Sequence, residues 1–402
     1  MDKTHLEKGK QFTADMKTAD SSRAARRPSV LILVNHEVVI YNFRLELVER
    51  LLKEGKEVHI STPPGKRIEK LRLLGAVCHD ITIDRHGMNP VAELAVLREY
   101  QRLIREIRPA AVLGFTIKPN IYGAIAAGRA RIPFVANITG LGTAVENAGL
   151  KQKLAVMLYK AAFGPVQRVF FQNMENEQFF REHGIAVSKH CLLPGSGVNL
   201  SRFPTTPLPA CGDGRKGAPV KFAFISRIMK EKGIEQYLDA AERIKAEYPA
   251  AEFHVCGFCE AEYRGRLAEF HKNGLAEYHG MIQDVAQFMS RMHCIVHPTY
   301  YPEGLSNVLL EACACGRPVI TTDRSGCREA VEDNGYLVPE RDTEALVQAI
   351  EGFINLSWEE KEKKGRAGRR LAEKKYSREI VVEAYMKEIM AAENTVINRA
   401  DA

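Results

Sequence analysis

The chain has 402 residues, of which 45% are hydrophobic and 27% are charged, and its formal net charge is +7. This globular composition excludes general disorder, and the length predicts two domains with full-sized cores. There is no run of about 18 apolar residues and no apolar secretory core, so we expect a cytoplasmic location. Nine cysteines without regular spacing predict reduced thiols.

The chain begins with a polar leader, residues 1–27, which we predict to be disordered. From residue 28 to residue 200, short apolar runs alternate with stretches whose apolar residues recur at helical spacing. The runs SVLILVN and KEVHIST are the first two predicted strands, and the helix pattern between them ends at Gly55. This repeated βαβ pattern predicts a parallel sheet that is covered on both faces.

The pattern restarts after residues 201–220, a segment rich in proline, glycine and polar residues that we interpret as a linker. Residues 221–375 predict a second sheet, with strands such as VKFAFIS and CIVHPTY separated by helices. The predicted fold class is therefore α/β, with two Rossmann-like domains that face each other across a crevice. Ligands of open α/β sheets bind at the carboxyl ends of the strands, so the crevice is the expected site.

The segment EGLSNVLLEACACGRP carries two glutamates around an apolar run. It follows the predicted strand CIVHPTY, so Glu303 should lie in a loop at the crevice. Ser306 is a suitable N-cap for the helix that follows, and Gly304 allows the backbone to approach a ligand closely. Glu311 lies one turn past Asn307, so both carboxylates can approach one ligand while the free N–H groups of the helix bind an anion.

The segment SRIMKEKG places Arg227 and Lys232 directly after the first predicted strand of the second half. Two cations at the carboxyl end of a strand, opposite a helix amino terminus, suit a pyrophosphate. Taken alone, each motif has a simpler interpretation, because charged residues are mostly solvated surface residues. The occurrence of both motifs in one half favours an anion clamp.

The pattern S-R-x4-K-G followed by E-G-L-S-N-V-L-L-E-A-x-A-x-G-x-P-V-I resembles the family 4 retaining glycosyltransferases of the GT-B fold. The layout in two halves is similar over nearly the whole chain. The resemblance implies that Arg227 and Lys232 bind the diphosphate of a nucleotide-sugar. It further implies that Glu311 binds the ribose hydroxyls and that Glu303 lies against the donor sugar. Backbone close to the sugar and the phosphate would come from Gly304, Leu305, Ser306 and Asn307.

The same resemblance implies retention of the anomeric configuration, by front-face attack through an oxocarbenium-like state. A departing nucleoside diphosphate gains negative charge, which fixed cations and N–H dipoles stabilise in the transition state. The sequence has no Asp-x-Asp pair, so we expect no metal and no cofactor besides the nucleotide-sugar, with UDP as the expected nucleotide. The resemblance also implies that a final helix, within residues 376–402, returns to the first half.

The segments GFTIKPNIYGAIAA and FFQNMENEQFF are similar to transferases that build capsule, exopolysaccharide or lipid-linked oligosaccharide. Such relatives imply an acceptor sugar on undecaprenyl diphosphate at the inner face of the cell membrane. Residues 150–161 fit a peripheral contact with anionic lipid, because apolar residues form a stripe beside lysines. The apolar residues are Leu150, Leu154, Met157, Leu158 and Ala161, and the lysines are Lys151, Lys153 and Lys160. An amphipathic core helix shows the same pattern.

The first half departs from the family where many members have a glycine-rich loop and a histidine. Here the first strand is followed by Asn35 and His36, and Thr139 stands before Gly140 at the position of that histidine. Thr139 or Lys118 can replace polar contacts to the donor sugar or the acceptor. His36 is a candidate general base, although a lone histidine is more often structural or simply exposed.

Two alternatives remain at this point. A UDP-N-acetylglucosamine 2-epimerase shares the layout in two halves and needs no acceptor. A catalytically silent, membrane-associated binding subunit of a polysaccharide assembly is the alternative outside enzymes. We expect no nucleic-acid partner, because the charge run in residues 351–375 is typical of a solvated helix face.

Overall fold

A computed structural model describes residues 27–84, 87, 89–141, 149–210, 219–302 and 304–400. Almost all of the predicted leader, and Glu303, lie outside the described residues. The described chain forms two parallel sheets, each flanked by helices, and this confirms the predicted α/β fold with two Rossmann-like halves.

The first sheet has seven parallel strands in the order β3-β2-β1-β4-β5-β6-β7. The strands are β1 (Ser29–Leu33), β2 (Glu57–Thr62), β3 (Val77–Asp80), β4 (Ala111–Phe115), β5 (Phe134–Ile138), β6 (Arg168–Phe171) and β7 (His190–Leu192). The strands β1, β4 and β5 are buried along their whole length, as expected for central strands covered on both faces.

The second sheet has six parallel strands in the order β10-β9-β8-β11-β12-β13. They are β8 (Lys221–Ile225), β9 (Glu252–Cys256), β10 (Glu277–Tyr278), β11 (Cys294–His297), β12 (Val319–Thr322) and β13 (Gly335–Val338). The strands β8 and β11 are neighbours, so the loops that follow them emerge side by side at one edge of the sheet. The two halves of the predicted anion clamp belong to these loops.

The helices of the first half are α1 (Glu37–Phe43), α2 (Leu45–Lys53), α3 (Ile68–Leu73), α4 (Pro90–Ile107), α5 (Ile117–Ala130), α6 (Leu150–Phe163) and α7 (Met174–Glu182). Those of the second half are α8 (Ile234–Glu247), α9 (Arg264–Lys272), α10 (Val285–Ser290), α11 (Asn307–Ala314), α12 (Thr343–Ile354) and α13 (Trp358–Lys375), and the last helix is α14 (Arg378–Ala400). Within the described residues, every helix is too short or too polar to cross a bilayer.

The last helix, α14, packs against the first sheet rather than the second. Its buried residues Val381, Val382, Tyr385, Met386, Ile389 and Ala392 share a core with strands β1, β2 and β4. At its amino end the Arg378 guanidinium lies 2.7 Å from the Glu46 carboxylate on α2. Arg168 and Glu388 form a second ion pair at 2.9 Å. The chain therefore crosses back to the first half after completing the second.

Candidate active site

The loops that follow β8 and β11 are bonded to each other. Glu231 O accepts hydrogen bonds from Tyr300 N at 2.9 Å and from Thr299 Oγ1 at 3.2 Å. Gly233 has a φ of +78°, and a Cβ on it would lie 2.1 Å from Pro298 O. Only glycine meets both requirements, so Gly233 fixes the distance between the two loops.

The predicted diphosphate ligands Arg227 and Lys232 converge on the ring of Tyr301. The Arg227 guanidinium carbon lies 5.6 Å from the ring centroid, and Lys232 Nζ lies 4.6 Å from it. Arg227 is exposed, whereas Lys232 is only 6% exposed. A buried ammonium group acts through a lower local dielectric than a solvated one, so its attraction for an anion is stronger.

A buried histidine lies near this pair of cations. His297, the last residue of β11, is buried, and burial together with the positive charge of Lys232 lowers its pKa to about 3. Its ring is therefore neutral at physiological pH and adds no positive charge to the site. Neither ring nitrogen has a hydrogen-bond partner among the described residues.

The helix α11 begins at the same edge of the sheet. Ser306 occupies the N-cap position, as predicted, but its hydroxyl makes no cap hydrogen bond. The backbone instead anchors this turn, since Ser306 N donates to Gly326 O at 2.7 Å. Leu305 is buried, and Asn307 is partly exposed as the first helical residue. The amino end of α11 therefore faces the crevice with N–H groups that have no intrahelical acceptor.

Glu311 lies partly buried on α11, one turn further along. Burial raises the pKa of its carboxyl group to about 7, and the charges of Arg202 and Arg378 oppose this rise. Its ordinary value is 4.5. Such a group is costly to keep ionised without hydrogen bonds, so it is suited to accept hydrogen bonds from the hydroxyls of a ligand.

The loop before α11 also touches the first half across the crevice. A Cβ on Gly304 would lie 2.3 Å from both Thr139 O and Gln172 Oε1. Asn173 Nδ2 donates a hydrogen bond to Gly304 O at 2.6 Å. Thr139 follows β5, so the first half reaches the predicted donor loop at this point. Gly140, the next residue, has a φ of +145°.

The remaining predicted residues of the first half have mainly structural contacts. His36 caps α1, since its Nδ1 lies 3.2 Å from Val38 N, and the same nitrogen lies 2.9 Å from the Glu37 carboxylate. Lys118 Nζ donates to Asp84 O, Gly87 O and the Glu93 carboxylate. These three bonds use all three N–H groups of Lys118, so contact with a substrate would require it to give one up.

Sequence reasoning missed a set of buried polar atoms at the carboxyl ends of the first sheet. The atoms Asn35 Oδ1, Thr116 Oγ1, Asn120 Oδ1, Asn137 Oδ1 and Gln172 Nε2 are buried and have no hydrogen-bond partner among the described residues. Thr116 has a φ of +71°, a strained conformation for a threonine, and such strain concentrates at functional sites. Polar residues at or just after the strand ends, such as Asn35, Thr116, Asn137 and Gln172, are the signal in the sequence, but of these only Asn35 was a predicted site residue.

The stripe on α6 faces outward. Leu150 is 86% exposed and Met157 is 59% exposed, whereas Tyr159 and Phe163 on the opposite face are buried. Lys151, Lys153 and Lys160 are exposed as well. Four of the five apolar residues of the stripe are therefore exposed, whereas Leu158 packs partly buried against the core of the first half.

Comparisons with known proteins match both halves of the chain. A family model described as Glycosyl transferase 4-like matches residues 29–173, and one described as Glycosyl transferases group 1 matches residues 219–355. The second match contains the loop of Arg227 and Lys232 and the helix of Glu311.

Two curated relatives span most of the chain. An N,N'-diacetylbacillosaminyl-diphospho-undecaprenol alpha-1,3-N-acetylgalactosaminyltransferase of Campylobacter jejuni is 27% identical over 313 residues, which are 74% of this chain and 81% of the relative. The capsular polysaccharide biosynthesis glycosyltransferase CapM of Staphylococcus aureus is 24% identical over 375 residues, 88% of this chain and 94% of the relative.

The fold is also similar to that of a solved structure. The Anabaena protein HepE, solved in complex with UDP and glucose, superposes with a TM-score of 0.70 at 17% identity, covering 93% of this chain and all of that one. At this identity the likeness shows the fold alone.

Proposed function

Because the chain belongs to the group 1 glycosyltransferases of the GT-B fold, and so acts in glycan assembly, we propose that it is a retaining transferase. It moves a hexose or an N-acetylhexosamine from a UDP-sugar to a glycan precursor on a polyprenyl diphosphate. The observation that supports this donor is the convergence of Arg227 and Lys232 on the ring of Tyr301, in the loop between β11 and α11. The reaction proceeds without a metal ion.

The UDP diphosphate lies between the two cations and the N–H groups of α11. The β-phosphate gains charge as its bond to the sugar breaks, and Lys232, already desolvated, stabilises that charge without reorganisation. Glu311 accepts hydrogen bonds from the ribose hydroxyls and so fixes the nucleoside. Glu303, which the resemblance assigns to the donor sugar, lies outside the described residues.

The acceptor hydroxyl attacks the anomeric carbon on the face from which UDP departs. The bond from that carbon to the phosphate oxygen breaks, a new carbon–oxygen bond forms, and the hydroxyl proton passes to the departing phosphate. The acceptor side of the crevice is lined by Asn35, Thr139, Gly140 and the backbone near Thr116. His36 is the alternative proton acceptor, since its side chain is 38% exposed. Its Nδ1 is engaged with Glu37.

The acceptor's lipid places the reaction at a membrane surface. The exposed residues Leu150 and Met157 enter the interfacial region, and Lys151, Lys153 and Lys160 lie near anionic headgroups. The Campylobacter relative is named for an undecaprenol-linked acceptor, which supports the same class of acceptor here. We infer that this contact holds the enzyme at the inner face of the cell membrane.

The test is direct transfer by the purified protein. Thermal-shift screening against UDP-sugars selects the donor, since stabilisation follows RT ln(1 + [L]/Kd). The selected donor is then incubated with a polyprenyl-diphosphate-linked sugar. We expect one hexose or N-acetylhexosamine to be added, with the donor's anomeric configuration in the product. Conversion of UDP-N-acetylglucosamine without an acceptor would instead support the epimerase, and stabilisation by no UDP-sugar would contradict the proposal.

A further inference from the structure

The two halves carry the same histidine arrangement at equivalent positions. The second strand of each sheet contains Glu-x-His, with His59 on β2 and His254 on β9. His59 Nδ1 lies 2.9 Å from His79 Nε2, and His254 Nδ1 lies 3.0 Å from His279 Nε2. The partner histidines come from β3 and from the residue directly after β10. One arrangement is therefore repeated in both halves.

The repeat differs at one cross-strand position. In the first half His59 is paired with Val77, whereas in the second half His254 is paired with Glu277. A strand alternates its side chains, so Glu277 and His279 lie on the same face as His254. The Glu277 carboxylate accordingly lies 3.4 Å from His254 Nδ1. Only the second half brings a carboxylate to the histidine pair at this register.

We propose that His254, Glu277 and His279 form a binding site for a Zn²⁺-like transition-metal ion. Their ligand atoms all lie within 4.8 Å of one another, and they are the only group of this kind among the described residues. Two ligands of a tetrahedral zinc ion, at about 2.0–2.1 Å from the metal, are separated by about 3.3–3.4 Å. The 3.4 Å separation fits this geometry, and the 3.0 Å separation needs a small widening.

A carboxylate outside the three proposed ligands also lies beside His254. The other nitrogen of His254, Nε2, lies 3.5 Å from the Glu252 carboxylate. Metal-bound histidines commonly donate that second N–H to a carboxylate, which fixes the ring and raises its basicity. His254 Nε2 is buried and makes no hydrogen bond within the described residues, so Glu252, the first residue of the Glu-x-His pattern, would take this supporting place when the ion binds.

The ion can reach the site from solvent, and the site supports the donor half. The side chains of His279 and Glu277 are 25% and 54% exposed, and a cavity of about 340 Å³ opens beside His254 and Glu277.

The strand β10 is a two-residue edge strand, so an ion shared with β9 would stabilise it. Gly280, next to His279, accepts a hydrogen bond from Gly257 N at 2.9 Å. A Cβ on Gly257 would lie 1.7 Å from Ser226 O, directly before Arg227. The site is therefore structural and lies behind the donor loop.

The test is titration of untagged protein with Zn²⁺ alone, monitored by calorimetry and by thermal shift. We expect one ion per wild-type chain, loss of that binding in E277V, and weakening by about 10–100-fold in E252Q. The substitution V77E copies the second-half arrangement into the first half and should add a second ion. Glu277 and Val77 are both exposed, so these variants should fold.

Co²⁺ distinguishes this site from binding to the free thiols, because nitrogen and oxygen ligands lack the intense near-ultraviolet bands of thiolates. Wild-type protein that binds no Zn²⁺, or binding that E277V leaves unchanged, would overturn the proposal. Failure of V77E to gain an ion would also contradict it. None of these readouts depends on transferase activity, so they stay separate from a test of the proposed donor and acceptor.

Discussion

Asn173 Nδ2 donates a hydrogen bond to Gly304 O at 2.6 Å, and this bond joins the first half to the loop that leads into α11. Gly304 fits there because it has no side chain, since a Cβ would lie 2.3 Å from Thr139 O. The two halves therefore meet at the loop that the proposed function assigns to the donor sugar. Their closure positions the donor against groups of the first half.

Replacing Gly304 with alanine should hold the crevice open. We expect G304A to lower kcat/KM by about 10²-fold, because a misplacement of about 1 Å at a reacting centre costs that much. Initial rates with saturating and limiting donor measure the effect. G352A is the matched control, since no atom lies within 4 Å of its Cβ and it lies exposed on α12. Equal activity of G304A and G352A would contradict the role of this contact.

Removal of either clamp cation should slow turnover. We predict that R227A and K232A each lower kcat/KM by roughly 10² or more, as loss of a preorganised transition-state contact does. K230A is the control, because Lys230 is exposed on the same turn and lies 4.0 Å from Glu235. Near-normal turnover by both R227A and K232A would refute the clamp.

The raised pKa of Glu311 predicts a pH-dependent stability. The carboxyl group titrates near 7 in the folded chain and at about 4.5 when unfolded, so the folded state holds the extra proton between these values. The contribution of this proton to the free energy of unfolding is fully present below pH 4.5. It is lost as the pH rises to about 7, and the total loss is at most about 3 kcal/mol. E311Q should flatten this part of the profile and be more stable than wild type at pH 8.

Urea unfolding of wild type and E311Q from pH 5 to pH 8 measures the difference. The same variant should bind UDP more weakly, because an amide is a poorer acceptor for two ribose hydroxyls than a carboxylate. Parallel stability profiles would mean that Glu311 is not desolvated in the folded chain. If E311Q gains stability but keeps the wild-type affinity for UDP, then Glu311 is buried but does not bind the ribose hydroxyls.

The outward stripe on α6 should govern membrane contact. Changing Lys151, Lys153 and Lys160 to glutamate should abolish flotation with anionic vesicles, because each lysine near such a surface contributes about 1 kcal/mol. The activity on a short, water-soluble acceptor should remain. The control changes Lys363, Arg366 and Arg370, which are exposed on α13, to glutamate. Equal flotation of both triple variants would contradict contact through α6.

Local patterns in the sequence predicted most of the fold. Apolar runs such as residues 29–35 and the stop at Gly55 identify β1 and the end of the first helical segment, because burial and backbone freedom act locally. The sequence also predicted that Arg227, Lys232 and the start of α11 follow strand ends, and these loops lie at one edge because β8 and β11 are neighbours. Their joint role as an anion clamp stays a prediction. The sequence could not show that Lys118 is fully bonded within its own half.

Contacts between distant segments could not be predicted, because each depends on register or closure. The bond from Asn173 to Gly304 joins two halves that are separate in the sequence. The approach of Glu277 to His254 requires the register of two strands, one of them only two residues long. The Ser306 hydroxyl fits a common capping pattern, but its backbone N–H, bonded to Gly326, anchors the turn. Pattern alone cannot choose between these outcomes.

The most direct measurement of the diphosphate clamp compares the binding of UDP and of uridine by calorimetry in wild type, K230A, R227A and K232A. The wild-type chain and K230A should bind UDP far more tightly than uridine. In R227A and K232A this advantage should shrink by about 10²-fold, with uridine affinity unchanged. An advantage of UDP that survives in both R227A and K232A would contradict the account.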